Sequence, residues 1–512
     1  MTRPSPPDAH DLMVAALAHS DRGEFPTARA LLDQALALEP DNPAILTGLG
    51  VHLFQTGQLR DAVLACDAAI RAWPTYPDAW RQRGAILAAG GSGQAARESF
   101  LEAVRLAPHD IGALAGLAAL AAREADHATA RLYASRALAL DPSHVVAASA
   151  LASTELAEGH ATAAVNLLEP LLAQLATPSQ DRSLAWGILG NAQHRLGQTE
   201  AAYAAFAQCK ADYAVLHERA AAGRLTHGAF IAAIEAGVRK VPQTQWHAPA
   251  PTPVPGAARA HVFLLGYPRS GTTLMENILA SLPGVAALEE RPTLAATDQQ
   301  FLAEDAAGVT AGIARFAALD AAALDPLRAA YWAKVRESGV PADAAGFVDM
   351  DPLKGTRLPL IARLFPNARI LLMRRDPRDV VWSCFRTNFA PSSGAYDFTT
   401  LERTARHYDS LMRLTELCRA TMPLAVHEVH YHALVSDFDR TVRAALDFAG
   451  LPWDPAVRDF DRTARSRGVS TASVAQVSRG LYDGTRQWEP YARFLEPVMP
   501  LLEPWVRRFG YT

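Results

Sequence analysis

Hydrophobic and polar positions follow two different rhythms along this chain. Over residues 9–225 small and apolar residues recur at helical spacing, and the pattern repeats itself. Pro40, Pro74, Pro108 and Pro142 stand 34 residues apart, and so do Ala28, Ala62, Ala96, Ala130 and Ala164. Gly50, Gly84, Ala118 and Ala152 keep the same step. Small residues let two helices approach closely, and a proline ends the second helix of each unit. Four prolines in register argue against a generic alanine-rich bundle. A further unit, marked by Gly190, Gly197, Ala202 and Phe206, is offset by a four-residue insertion near Thr177-Pro-Ser-Gln. The pattern predicts about five helix pairs stacked as a solenoid.

Beyond a helical stretch and a proline-rich connector, together residues 226–258, the rhythm changes. Short apolar runs at 261–266, 346–349, 369–373 and 424–430 alternate with helical patterns through residues 259–512. These read as strands of a mostly parallel sheet with helices on both faces. The fold expected is therefore α + α/β: an α-solenoid, a linker, and an α/β domain whose ligands bind beyond the carboxyl ends of the strands.

Composition narrows the function classes. A chain of 512 residues exceeds one ordinary core. With 50% apolar residues, 20% charged and a net charge of −4, no basic field suggests a nucleic-acid partner or an anionic membrane. Four scattered cysteines give neither a metal spacing nor a disulfide framework. The first residues lack an apolar leader and no stretch is long enough to span a bilayer, so a cytoplasmic protein is expected.

The chemistry concentrates at two strand ends. Gly266-Tyr-Pro-Arg-Ser-Gly-Thr-Thr273 has the spacing of a phosphate-cradling loop between a buried strand and a helix N-terminus. Thr272 stands where an ATP-binding loop needs lysine, and Arg269 supplies the cation instead. Arg375 leaves the strand at 369–373, and Ser383 follows eight residues later on the next helix. Two such groups can close on a second phosphate.

These residues carry a resemblance. The 34-residue units resemble the tetratricopeptide repeat, with Phe100 four residues after Ala96 as that family's pattern has it. Pro268-Arg-Ser-Gly-Thr-Thr273 looks like the 5′-phosphosulfate loop of the sulfotransferases, and Arg375 with Ser383 matches their 3′-phosphate pair. The stretch from Ala362 to Asp376 is similar to protein-tyrosine sulfotransferases and to bacterial sulfotransferases linked to tetratricopeptide repeats.

The resemblance implies 3′-phosphoadenosine 5′-phosphosulfate (PAPS) as co-substrate, a hydroxyl acceptor and no metal. It places Arg269, Ser270, Gly271, Thr272 and Thr273 on the phosphosulfate, with Arg269 also stabilising charge in the transition state. Glu290, 21 residues after Arg269, matches the catalytic glutamate of the protein-tyrosine members, with Glu289 as the alternative base. Tyr431 matches a tyrosine near the nucleotide, and Ser473 and Arg479 match a segment that folds over it. One departure stands out: Met350 in Val348-Asp-Met-Asp-Pro-Leu-Lys354 replaces the family lysine that neutralises the leaving group. Lys354 is the expected substitute, with Arg357 as the other option. Tyrosyl peptide, glycan and small hydroxylated metabolite all remain open as acceptors, and the fused repeats favour a peptide or protein. The alternatives are a kinase-like nucleotide enzyme and a repeat scaffold carrying an inactive transferase domain.

Overall fold

The structure is a computed structural model that describes residues 8–221, 223–247, 251–302, 305–467 and 480–511. It divides into two compact units, Met1–Ala205 and Phe206–Thr512. Among the described residues no single helix is long and apolar enough to cross a membrane.

The first unit is built from helix pairs. Ala9–Asp21 pairs with Phe25–Leu38, Pro43–Gln55 with Leu59–Ala72, and Pro77–Ala89 with Gly93–Leu106. Ile111–Arg123 and His127–Leu140 follow, then Val145–Ala157 and Ala161–Gln174. Gln180–Arg195 precedes Thr199–Ala221, whose helix runs past the division between the units. Among the described residues the first unit thus holds five helix pairs, followed by Gln180–Arg195 and the start of Thr199–Ala221. The small residues act as expected: a Cβ on Gly50 would lie 2.7 Å from Cys66 Sγ, and one on Gly84 2.8 Å from the Phe100 ring. Pro43 and Pro77 open their helices at a position where no backbone donor is needed.

The second unit holds one five-stranded sheet, all parallel, in the order β2-β3-β1-β4-β5. The strands are β1 (Ala260–Leu265), β2 (Val285–Glu289), β3 (Gly346–Met350), β4 (Arg369–Arg374) and β5 (Ala425–His430). Four were legible as apolar runs. β2 was not: Val285-Ala-Ala-Leu-Glu is short and weakly apolar, as suits a strand on the sheet edge.

Side chains alternate across the sheet. On one face Val262, Leu264, Val348, Met350 and Leu371 pack with Met275, Ile278 and Leu279 of the helix Thr272–Ala280. On the other, His261 lies among Phe263, Tyr331, Trp332, Phe347 and Phe365. Burial there pulls the His261 pKa down to about 3, so the ring is neutral at neutral pH. Because every strand is parallel, all five carboxyl ends share one edge, and the candidate residues gather along it.

Candidate active site

The loop after β1 is built to hold an anion. Ser270 N donates to the Tyr267 carbonyl at 3.0 Å and Tyr267 N to Ser270 Oγ at 3.3 Å, which closes a tight turn. Gly271 has φ +104°, and Thr272 starts the helix Thr272–Ala280. The first N–H groups of that helix have no intrahelical acceptor and face the loop. Since Ser270's own N–H is committed inside the turn, the N–H groups at the helix start are the ones open to an anion. Backbone packing is tight on both sides: a Cβ on Gly266 would sit 2.6 Å from Ser270 Oγ, and one on Gly271 2.8 Å from Tyr431 Cδ2.

Arg269, Arg375 and Ser383 converge. Arg269 Nε donates to Ser383 Oγ at 3.0 Å, and Arg375 Nη1 donates to the Arg269 carbonyl at 2.8 Å. Burial first, with Arg375 and Arg386 adding to it, pulls the Arg269 pKa to about 10, so it stays charged at neutral pH. Arg386 was not foreseen. It lies one turn after Ser383 on the helix Pro377–Arg386, and burial, with Arg375 adding to it, lowers its pKa too. Three guanidinium groups crowded near one loop suit a polyanion. Arg375 Nε is buried with no hydrogen-bond partner among the described residues, and lies 4.0 Å from the Asp379 carboxylate.

Tyr431 ties these parts together. It sits at the start of the helix after β5, its ring 4.8 Å from the Arg375 guanidinium. Its hydroxyl donates to the Tyr482 carbonyl at 2.6 Å, while Arg375 Nη2 donates to the Gly484 carbonyl. Asp379, wholly buried, accepts the backbone N–H groups of Arg486 at 2.9 Å and Trp488 at 3.0 Å. That anchor joins residues more than a hundred positions apart, and no signal in the sequence links them. A cavity of about 490 Å³ opens beside Arg375, lined also by Arg378, His432, Trp488 and Tyr511. Ser473 and Arg479 lie outside the described residues.

The loop has a second, buried set of contacts that the sequence did not suggest. Tyr267 Oη is 2.6 Å from His407 Nδ1, and His407 Nε2 is 2.7 Å from His227 Nδ1. Burial holds both histidines below their usual range, His227 near 4, so the chain is neutral.

Glu290 stands just past β2, with its N–H bonded to the Met350 carbonyl at 2.7 Å. Its φ is +49°, and Arg269 has φ +70°. Left-handed backbone at a non-glycine residue costs roughly 1–3 kcal/mol and collects at functional sites. The residue as a whole is exposed, but protein crowds its carboxyl. That desolvation, then the charges of Asp351 and Glu289, push its pKa up to about 7, against a lowering by Lys354. A half-ionised carboxyl at neutral pH suits a general base. Glu289 is the last residue of β2 and is less exposed.

Lys354 reaches this corner but is fully engaged. Its ammonium bonds Asp349 Oδ1, Thr293 Oγ1 at 3.2 Å and the Arg291 carbonyl at 3.2 Å. Asp349 is itself wholly buried and also accepts from Tyr331 Oη at 2.9 Å and Thr293 Oγ1 at 2.7 Å. For Lys354 to meet a leaving group it has to give up one of these bonds. Met350 is buried within the apolar cluster below the loop helix. Arg357, the other option, pairs with Asp298 at 3.0 Å.

A profile described as the Sulfotransferase family matches residues 261–455, and a Tetratricopeptide repeat profile matches residues 13–77 and 67–111. Protein-tyrosine sulfotransferase 1 of Danio rerio is 30% identical over 274 residues, which are 49% of this chain and 72% of that protein. The chain belongs to the sulfotransferase family, and within it combines tetratricopeptide repeats with a unit similar to the protein-tyrosine sulfotransferases. The Homo sapiens protein-tyrosine sulfotransferase 1 is 28% identical over 42% of this chain and 57% of its own length. An uncharacterized protein of Aquifex aeolicus is 26% identical over 437 residues, 84% of this chain, and the chain spans 55% of its length.

Proposed function

We propose that the second unit transfers a sulfo group from PAPS to a hydroxyl of a peptide or protein, with tyrosyl side chains as the favoured acceptor. The observation that carries this reading is the meeting of Arg269, Ser383 and Arg375, which joins the loop after β1 to the helix after β4. A ligand with phosphates at both its 5′ and 3′ positions uses both. The residues present fit such a nucleotide: a glycine loop with no room for a side chain, helix-start N–H groups, and the buried Arg375 Nε.

PAPS, when bound, supplies an activated sulfo group on its 5′-phosphate. The helix-start N–H groups, with the Thr272 and Thr273 hydroxyls, hold the 5′ end. Arg375, Ser383 and Arg386 hold the 3′-phosphate. Arg269 offsets charge that builds on oxygen as transfer proceeds. Glu290 takes the acceptor hydroxyl's proton, and its raised pKa makes it a stronger base than an ordinary carboxylate. Tyr431, through Arg375 and the 480–485 segment, keeps the nucleotide side of the site in place.

Two measurements test this. Adenosine 3′,5′-bisphosphate should raise the melting temperature, corresponding to about 2.7 kcal/mol at a hundredfold excess over Kd, and ATP with Mg²⁺ should not. Labelled sulfate should pass from PAPS to tyrosyl peptides in wild type, with Glu290→Gln slower by about 10²–10⁴. Stabilisation by ATP alone sinks the reading. The engagement of Lys354 and the apolar burial of Met350 favour one second reading, a domain that binds the nucleotide without turnover. Nucleotide stabilisation without any sulfate transfer selects it.

A further inference from the structure

One side chain with no part in the chemistry above joins the phosphate-loop helix to the strand that leads to Glu290. Arg467 ends the helix Phe460–Arg467. Its Nη2 donates to Glu276 Oε1 at 2.8 Å and to the Ala287 carbonyl at 3.0 Å. Glu276 is wholly buried on the helix Thr272–Ala280, five residues after Gly271. Ala287 lies in β2, three residues before Glu290.

The form of this contact sets it apart from a simple ion pair. β2 is the edge of the sheet, with β3 as its one strand neighbour. An edge strand presents carbonyls that no other strand accepts into its ladder, and Arg467 takes one of these. An arginine and a carboxylate commonly meet with two parallel bonds. Here Arg467 Nη1 and Glu276 Oε2 are both buried with no hydrogen-bond partner among the described residues. One nitrogen is shared between helix and strand, while the second parallel bond is left unmade. The geometry that results spans two elements.

Those two elements carry opposite halves of the proposed reaction. The helix begins at the loop for the donor, and β2 leads to the base. β2 is bound to β3 along its length, and Glu290 extends that pairing by one bond to the Met350 carbonyl. Yet β2 is not adjacent to β1, so the sheet alone does not lock its end to the loop. We infer that Arg467 is a positioning residue for Glu290: it fixes the end of β2 against the phosphate-loop helix. This rests on the reading of Glu290 as the base. Displacements near 1 Å cost about 10²-fold in rate in comparable cases.

The test uses the full chain with methyl-¹³C methionine. Met275 neighbours Glu276 on the helix, and the Met350 carbonyl holds the Glu290 N–H, so both methyl signals report on this junction. Arg467→Met is expected to shift the Met275 and Met350 signals and to lower kcat by about 10–10²-fold. Kd for adenosine 3′,5′-bisphosphate should stay within about threefold, because that ligand meets the loop and the Arg375 side. Arg467→Lys keeps the charge but not the planar fork, and should fall between wild type and Arg467→Met. It also serves as the test variant if Arg467→Met does not fold. Unmoved Met275 and Met350 signals overturn the inference, as does a loss of kcat matched by an equal loss of nucleotide affinity. Wild type that transfers no sulfate defeats the functional reading instead, and the methyl signals still decide whether Arg467 couples helix to strand.

Discussion

Arg269 Nε donates to Ser383 Oγ at 3.0 Å across 114 residues of sequence, so the phosphate loop and the helix after β4 share a polar contact. The loop's carbonyl at the same residue accepts from Arg375 Nη1. Both ends of Arg269 are thus held by the elements assigned to the other phosphate. On the proposed reading the two anion sites form one unit, and disturbing either should weaken both.

Ser383→Ala removes the acceptor for Arg269 and a donor for the 3′-phosphate. A hydrogen bond to a charged group contributes about 1.5–3 kcal/mol, so Kd for adenosine 3′,5′-bisphosphate should rise by about 10–10²-fold. Calorimetric titration measures it. Adenosine 5′-phosphosulfate, which lacks the 3′-phosphate, should also bind more weakly, because Arg269 loses its partner. Unchanged affinity for that analogue would show that the two sites act independently.

The pH profile tests the base. Glu290 must be ionised to accept a proton, and its pKa is pushed up to about 7. Transfer under kcat/KM conditions should therefore rise as pH increases through about 7 and level off above it. Glu290→Gln should remove that acidic limb along with most of the rate, while Glu289→Gln, which removes a neighbouring negative charge, should move the limb to lower pH. A limb near pH 4.5 in wild type would mean that the carboxyl is not shielded as the structure has it.

Much of this was legible in the sequence, and the failures have physical causes. Prolines at a 34-residue step announce helix pairs, because each must end a helix. The loop and its arginine are local, so order along the chain is enough to find them. Partnerships across the sheet are not local. Val348-Asp-Met-Asp offers two aspartates as partners for Lys354. Alternation does not separate them, since residues two apart share a face; the end of β3 at Met350 does: Asp351 lies past it and accepts from Leu353 N at 2.9 Å, while Asp349 meets Lys354, Tyr331 and Thr293. Likewise β2, Val285-Ala-Ala-Leu-Glu, is alanine-rich and reads as readily as helix, and without β2 the Arg467 contact has no strand to reach.

Lys354 and Asp349 give a prediction about stability and activity together. Lys354→Met leaves the wholly buried Asp349 without its cation, which typically costs about 3–5 kcal/mol. The same change frees the Arg291 carbonyl and Thr293 beside Glu290, so transfer should also fall. Adding Asp349→Asn removes the stranded charge and should recover much of the melting temperature, though not the rate. If Lys354→Met melts like wild type, the pair does not hold this corner. Met350→Lys offers the complementary test: a large acceleration from it, with Lys354→Ala harmless, would show that Lys354 does not substitute for the family lysine.

Gly271 makes the sharpest local prediction. Its φ of +104° is strained for any residue with a side chain, and a Cβ there would lie 2.8 Å from Tyr431 Cδ2 and 3.2 Å from Met373 Cε. Gly450, at φ +72°, ends a helix with nothing within 4 Å of the same hypothetical atom. Gly450→Ala should therefore carry only the backbone penalty, about 1 kcal/mol. Gly271→Ala should cost more, about 2–4 kcal/mol, since it adds overpacking to backbone strain. Because Tyr431 stacks on Arg375 and bonds the Tyr482 carbonyl, its displacement should also cost nucleotide affinity. Chemical denaturation of both variants, followed by titration with adenosine 3′,5′-bisphosphate, separates the two contributions. Equal destabilisation with unchanged affinity in both would mean that the loop and Tyr431 do not pack as tightly as their separation implies.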